Sequence, residues 1–182
     1  MALETERTIM RPWQPEDAAV LFEWAKDPDV GPRGGWMPHK DVAESAWIIA
    51  NVLNGKECFA VIDREKNIAI GSIELMLKGG RFSDREDECE LGYWLAKPYW
   101  GKGIMPEAGE ELLRRAFEDL GMRAVWCANF IENSQSARVQ EKLGFVYVRT
   151  MENVEMPMIH AFKTDIVRIL TREKWLADHS GK

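Results

Sequence analysis

Glu90-Leu-Gly-Tyr-Trp-Leu-Ala-Lys-Pro-Tyr-Trp-Gly-Lys-Gly-Ile-Met-Pro-Glu-Ala108 is the stretch that decides how this chain folds. Leu91, Tyr93 and Leu95 alternate along a strand, and Pro98 stops it. Gly101 and Gly103 follow, and without a Cβ they let the backbone come close to a ligand. Pro106 suits the first position of a helix, where its missing N–H costs nothing. The free amides of the loop and first turn converge beside a helix-dipole end of roughly half a charge. Lys102 adds a full positive charge between the glycines. Strand, glycine loop and helix start together make a cradle for a phosphate or pyrophosphate.

Two common phosphate loops are excluded by what is missing. A dinucleotide fingerprint needs a third glycine three residues after the second, and Pro106 holds that position. A P-loop needs Gly-Lys followed by Ser or Thr, and the chain has no such run. The window Trp100-Gly-Lys-Gly-Ile-Met105 instead resembles the pyrophosphate loop of the GNAT superfamily of acyl-CoA-dependent N-acetyltransferases, Gln/Arg-x-x-Gly-x-Gly/Ala. Trp100 and Met105 depart from that pattern, which keeps the amides and removes one polar side-chain contact. The Glu-Leu-Gly-Tyr-Trp-Leu lead-in and the Glu107-Ala108 follow-on resemble the ribosomal-protein acetyltransferases of the RimJ/RimL-like group.

A length of 182 residues fits one domain, residues 1–182, able to bury about 70% of its unfolded surface. Apolar residues at 46%, with eight tryptophans, supply the core. The first residues carry no apolar run of the kind a signal peptide needs, and no stretch approaches the roughly 20 apolar residues of a membrane span. Cys58, Cys89 and Cys127 are odd in number and far apart, which reads as reduced thiols in the cytoplasm rather than a disulfide frame. His39, His160 and His179 are equally scattered, so no metal site is expected. A net charge of −6 argues against a nucleic-acid partner and is compatible with a cationic substrate.

Outward from the cradle, residues 7–13 read as a first strand and 15–26 as a helix with an apolar face. Residues 27–39, rich in Pro and Gly, read as a loop, and 41–53 as a second helix. Residues 57–62 and 68–77 form a hairpin around the turn 63–67. The helix after the cradle is predicted to run to about Leu120, with Glu110–Arg114 and Glu111–Arg115 paired on its wet side. Residues 123–130 read as a buried strand, 133–143 as a helix ended by Gly144, and 145–151 and 165–170 as strands joined by a loop. A hairpin in the first half and alternating helices and strands in the second predict an α/β (α+β) fold with a mixed sheet flanked by helices. The resemblance covers nearly the whole chain in this order and implies a single-domain, mostly antiparallel GNAT-like sheet.

Asn133-Ser-Gln-Ser-Ala-Arg-Val-Gln-Glu-Lys-Leu-Gly-Phe145 resembles a second signature of the same group, Asn-x-x-Ser…Lys-x-Gly-Phe. Two signatures in the right order imply acetyl-CoA as co-substrate, with no metal. By that resemblance the diphosphate rests on the window Trp100, Gly101, Lys102, Gly103, Ile104 and Met105. The backbone of Tyr93, Trp94 and Leu95 pairs with pantetheine. Ser136 matches the serine for which the family implies a general acid toward the coenzyme thiolate, and Asn133 is placed to bond the pantetheine. Read plainly, Ser136 is a first-turn helix serine and Asn133 an N-cap. Arg138 and Lys142, four apart, either neutralise cofactor phosphates or form a solvated face.

Two carboxylates compete as the base. Glu155 follows Met151 in a loop at a spacing from Ser136 that resembles a catalytic glutamate of the ribosomal-protein group, and it ranks ahead of Glu90, which starts the central strand. Trp36 offers a wall for a cationic acceptor and His39 a group to orient it. The leading expectation is acetyl transfer to a primary amine, a peptide or protein N-terminus. Transfer to a polyamine, amino acid or antibiotic, and a non-catalytic acyl-CoA sensor, are the alternatives on the same fold. The resemblance also allows a homodimer.

Overall fold

In the structure, a computed structural model described for residues 2–180, Asp63 sets the first long turn of the sheet. Its Oδ1 accepts from the backbone N–H of Glu65 at 3.0 Å and Lys66 at 3.1 Å, and Asn67 takes a left-handed φ of 53°. The expected hairpin forms as β3 (Cys58–Asp63) and β4 (Ile68–Leu77). The short β1 (Leu3–Glu4) and β2 (Thr8–Arg11) extend it on one side. On the other side lie β5 (Glu88–Leu95), β6 (Ala124–Phe130), β7 (Val146–Met156) and β8 (Ala161–Thr171). Among the described residues the sheet has eight strands in the order β1-β2-β3-β4-β5-β6-β8-β7, antiparallel everywhere except between β5 and β6.

Helices cover both faces. The helices α1 (Ala18–Ala25) and α3 (Val42–Asn51) pack Leu21, Ala25 and Ile49 against Cys58, Ala60 and Ile62. On the opposite face α4 (Ile104–Arg114) lays Met105, Ala108 and Leu112 on Phe59, Val61 and Leu91. The two helices α5 (Ser134–Lys142) and α6 (Arg172–His179) complete that layer. Asn133 caps α5 by accepting from Ser136 N–H at 3.2 Å, and Gly144 follows with φ 82°, as the sequence predicts. The architecture is the expected mostly antiparallel sheet flanked by helices.

Five local expectations need correction. Residues 27–39 are not all loop, because Gly31–Gly34 forms the short helix α2. Pro106 is the third helical residue rather than the first, since Gly103 is the N-cap; an N–H there would also lack an intrahelical acceptor. The helix α4 ends at Arg114 and passes into a π-turn, Arg115–Asp119. Neither helix-surface pair has its expected partner. Arg114 takes Glu111, Glu118 and Asp119, Arg115 turns inward onto Glu57, and Glu110 meets His179. The segment between 151 and 165 is mostly strand, because β7 and β8 form one long hairpin. Register shifts at Tyr147/Arg149 and Met151/Val154 break the alternation that would have revealed it.

Candidate active site

The cradle forms where β5 runs out. Past a short turn at Lys97–Tyr99, Trp100 folds its indole back, and Nε1 donates to Leu95 O at 2.6 Å. Gly101 and Gly103 take φ of 73° and 75°, the left-handed region that a side chain disfavours. A Cβ added at Gly101 would meet nothing within 4 Å, so the space above the loop is open. Gly103 caps α4 without a side chain to occupy the first amides of the helix. Arg7 braces the loop from β2's approach, with Nη1 donating to Lys102 O at 2.8 Å and Nε to Glu107 Oε2 at 2.6 Å. Lys102 Nζ stands over the Tyr99 ring at 5.4 Å. The window 100–105 is therefore a left-handed glycine turn that carries Lys102 and leads into the start of α4.

Beside it the sheet forks. The strands β5 and β6 pair only at Glu88↔Ala124, Cys89↔Val125 and Glu90↔Trp126. From there β5 continues to Leu95 with β4 as its only strand partner, leaving its other edge without a strand along Tyr93, Trp94 and Leu95, where Leu95 O takes the Trp100 indole N–H. Strand neighbours alternate faces. Tyr93 points toward α5, and its hydroxyl lies 2.8 Å from Ser136 Oγ. Gln140 Nε2 donates to the same Oγ at 3.3 Å, and Arg168 Nη1 donates to Gln140 Oε1 at 3.0 Å. Beyond its place in the first turn of α5, Ser136 has its hydroxyl held by a half-buried chain of polar groups. Burial raises the Tyr93 phenol above its ordinary pKa, so it stays protonated. Arg138 and Lys142 are exposed on α5 with no acidic partner among the described residues.

Trp94 points to the other face, where Trp13 stacks on it at 6.3 Å and Trp36 meets it edge-on at 5.9 Å. His39 lies 5.3 Å from Trp36, and Nδ1 bonds Ser45 Oγ at 2.8 Å. Burial lowers the His39 pKa, favouring the neutral ring. The sequence pairing of Trp36 with His39 is therefore brought together beside Trp94. The short α2 ties the parts. Arg33 O accepts from Asn133 Nδ2 at 3.3 Å, while the Arg33 guanidinium lies 5.2 Å over the Trp100 ring.

The carboxylates are placed differently from expectation. Glu90 is buried, and Arg81 holds both its oxygens: N–H to Oε2 at 2.9 Å, Nε and Nη2 to Oε1 at 3.2 and 3.0 Å. Glu155 lies in β7, not in a loop, exposed and in register with Phe162. Its neighbour Met156 reaches toward Gly35, so Glu155 points the other way. Sequence reading missed Glu74, half-buried in β4 beside Gly92. Its signal was present: Ile73 and Leu75 face one layer, which sends a glutamate toward the other layer from mid-strand.

Residues 7–146 match the acetyltransferase (GNAT) domain model. The chain belongs to the GNAT family. An uncharacterised N-acetyltransferase of Bacillus licheniformis, p20, is 30% identical over 149 residues, 79% of this chain and 81% of p20. The Bacillus subtilis protein YdaF, named as a candidate ribosomal N-acetyltransferase, is 33% identical over 94 residues, 52% of this chain and 48% of YdaF. A crystal structure of a GNAT-family acetyltransferase from Bacillus anthracis superposes with a TM-score of 0.83 at 22% identity, over 95% of this chain and 99% of that one. This GNAT chain is an N-acetyltransferase, and GNAT acetyltransferases take acetyl-CoA as co-substrate. Among the described residues no group of three or more His, Cys, Asp or Glu could hold a metal, and no helix is long and apolar enough to cross a membrane.

Proposed function

We propose that the enzyme moves the acetyl group of acetyl-CoA to the N-terminal amine of a peptide or protein. The observation that carries the cofactor half is the open, left-handed glycine loop lying next to the fork between β5 and β6. Amides of residues 101–105 hold the diphosphate, and Lys102, Arg138 and Lys142 add positive charge. The open edge of Tyr93, Trp94 and Leu95 pairs with the pantetheine, and Asn133 borders it. Trp100 holds the strand end in place through its bond to Leu95 O. Acetyl-CoA supplies the activated thioester. Ser136, aimed by Tyr93 and Gln140, gives a proton to the departing sulfur.

The acceptor half rests on Trp36, His39 and Trp94, which wall the opposite side of β5. YdaF, described as a candidate ribosomal N-acetyltransferase, supports a protein N-terminus as the amine. Cys58, Cys89 and Cys127 are buried free thiols, which supports a reducing, cytoplasmic setting. The test is free-thiol release from acetyl-CoA with ribosomal-protein N-terminal peptides, polyamines and aminoglycosides in parallel. Peptides should give the highest kcat/KM. Turnover with a small amine alone would replace the peptide acceptor, and no turnover with any amine would favour a sensor.

A further inference from the structure

Every buried carboxylate among the described residues has an arginine: Asp17 has Arg11, Glu57 has Arg115, Glu88 has Arg85, and Glu90 and Asp165 share Arg81. Glu74 is half-buried and has no basic partner among the described residues. It occupies the row Cys58↔Glu74↔Gly92 across three strands. Its side chain leans over Gly92, where an added Cβ would lie 3.3 Å from both Glu74 Cγ and Oε1 and 3.1 Å from Met76 Cε. Gly92 is two residues past Glu90, the last β5 residue paired with β6, so the carboxylate overhangs the mouth of the fork. The next side chain of β5 on that face is Trp94, with Trp13 and Trp36 around it.

A carboxylate kept without a cation, at the rim of an aromatic wall, is a receptor for a cation that comes from outside. We propose that Glu74 binds the ammonium of the acceptor and takes its proton. Glu74 has this role only if the chain transfers acetyl groups as proposed above. The ammonium gives one proton to Glu74, and its freed lone pair attacks the thioester carbon. The C–N bond forms and the C–S bond breaks, with the bonding pair leaving on sulfur. Sulfur takes the Ser136 hydroxyl proton. The second proton lost from nitrogen goes to solvent, which restores Ser136 by way of the Tyr93 hydroxyl, and Glu74 returns its own proton to water.

Two ionisable groups face Glu74: Glu90, whose charge Arg81 holds, and the Cys58 thiol in the neighbouring strand position. Burial first, and the Glu90 charge second, raise the Glu74 carboxyl above its ordinary pKa. A stronger carboxylate base than usual results.

Glu74→Gln and Glu74→Asp would be assayed with the best acceptor from the amine screen, with acetyl-CoA affinity measured by calorimetry. Glu74→Gln should bind acetyl-CoA as wild type does, lose about 100-fold or more in kcat, and lose the acidic limb of its pH–rate profile. Glu74→Asp, which keeps the charge and shortens the reach, should retain the limb at reduced kcat. Wild-type kcat and an intact acidic limb in Glu74→Gln would overturn the assignment, as would a rise in KM alone. A wild-type enzyme inert toward every amine would overturn the acetyl-transfer reading itself.

Discussion

The Tyr93 hydroxyl lies 2.8 Å from Ser136 Oγ and 3.2 Å from Ser136 O, so β5 and the first turn of α5 meet at one residue through both its hydroxyl and its carbonyl. A serine at a helix start ordinarily needs only a backbone partner. Here Gln140 and, behind it, Arg168 fix the hydroxyl as well. Ser136→Ala should lower kcat about 100-fold and leave acetyl-CoA affinity little changed, because protonation of sulfur matters in the transition state. Steady-state kinetics and calorimetry separate the two. Wild-type turnover at saturation with weaker binding would make Ser136 a capping residue.

Gly101→Ala isolates the backbone angle of the cradle. Nothing lies within 4 Å of the added Cβ, so only the φ of 73° opposes it. The expected cost is about 1 kcal/mol of stability, read from urea unfolding. Gly103→Val should weaken acetyl-CoA binding much more, since its Cβ would come 3.5 Å from Arg7 Nη2, which braces the loop, at a φ of 75° that a branched residue resists. Unchanged affinity in folded Gly103→Val would remove the cradle from this account.

Glu57 and Arg115 form a two-pronged buried pair, Nε to Oε2 at 2.6 Å and Nη2 to Oε1 at 2.7 Å. The pair joins the π-turn to the residue before β3, whose carbonyl accepts from Leu75 N–H at 3.0 Å. Glu57→Gln removes the nearer of two carboxylates facing the guanidinium, Asp119 Oδ2 lying 3.5 Å from Nη1, and should cost about 2 kcal/mol. Urea unfolding would measure it, and acetyl-CoA affinity of the folded fraction should stay at the wild-type value.

Glu74 and His39 give pH dependences of opposite sign. The Glu74 carboxyl is raised on folding, so its charge opposes the native state at neutral pH and ceases to do so below the unfolded value of about 4.3. Glu74→Gln should therefore melt at a higher temperature than wild type at pH 7 and at the same temperature near pH 4. The His39 ring is lowered on folding, so its share of stability is complete above about pH 6.5 and is lost as pH falls through the folded value. His39→Gln should lose less stability than wild type between pH 7 and 5. Melts at several pH values read both.

The strand, glycine loop and helix at 90–108 were legible because each local signal agrees with the next: alternation, left-handed glycines, then an apolar face. Asn133 and Gly144 bounded α5 for the same reason. The second half of β7, past Met151, was not legible, because solvent covers most of it and the register shift at Met151/Val154 scrambles its period. The helix α2 has four residues, two of them glycine and one proline, and its position depends on Trp36 packing against Gly31 and Gly34. The settings of the carboxylates have a non-local cause. Arg81, nine positions before Glu90 in a polar connection, neutralises it, and the freedom of Glu74 is visible only once the partners of the buried carboxylates are known. Spacing along the chain carries neither fact.

The most direct test is mass spectrometry of a ribosomal-protein N-terminal peptide after incubation with the enzyme and acetyl-CoA. One acetyl group on the α-amine, with free coenzyme A released in equal amount, is the predicted result. A peptide recovered unmodified under conditions where acetyl-CoA binds, or modified on a lysine side chain alone, would contradict it.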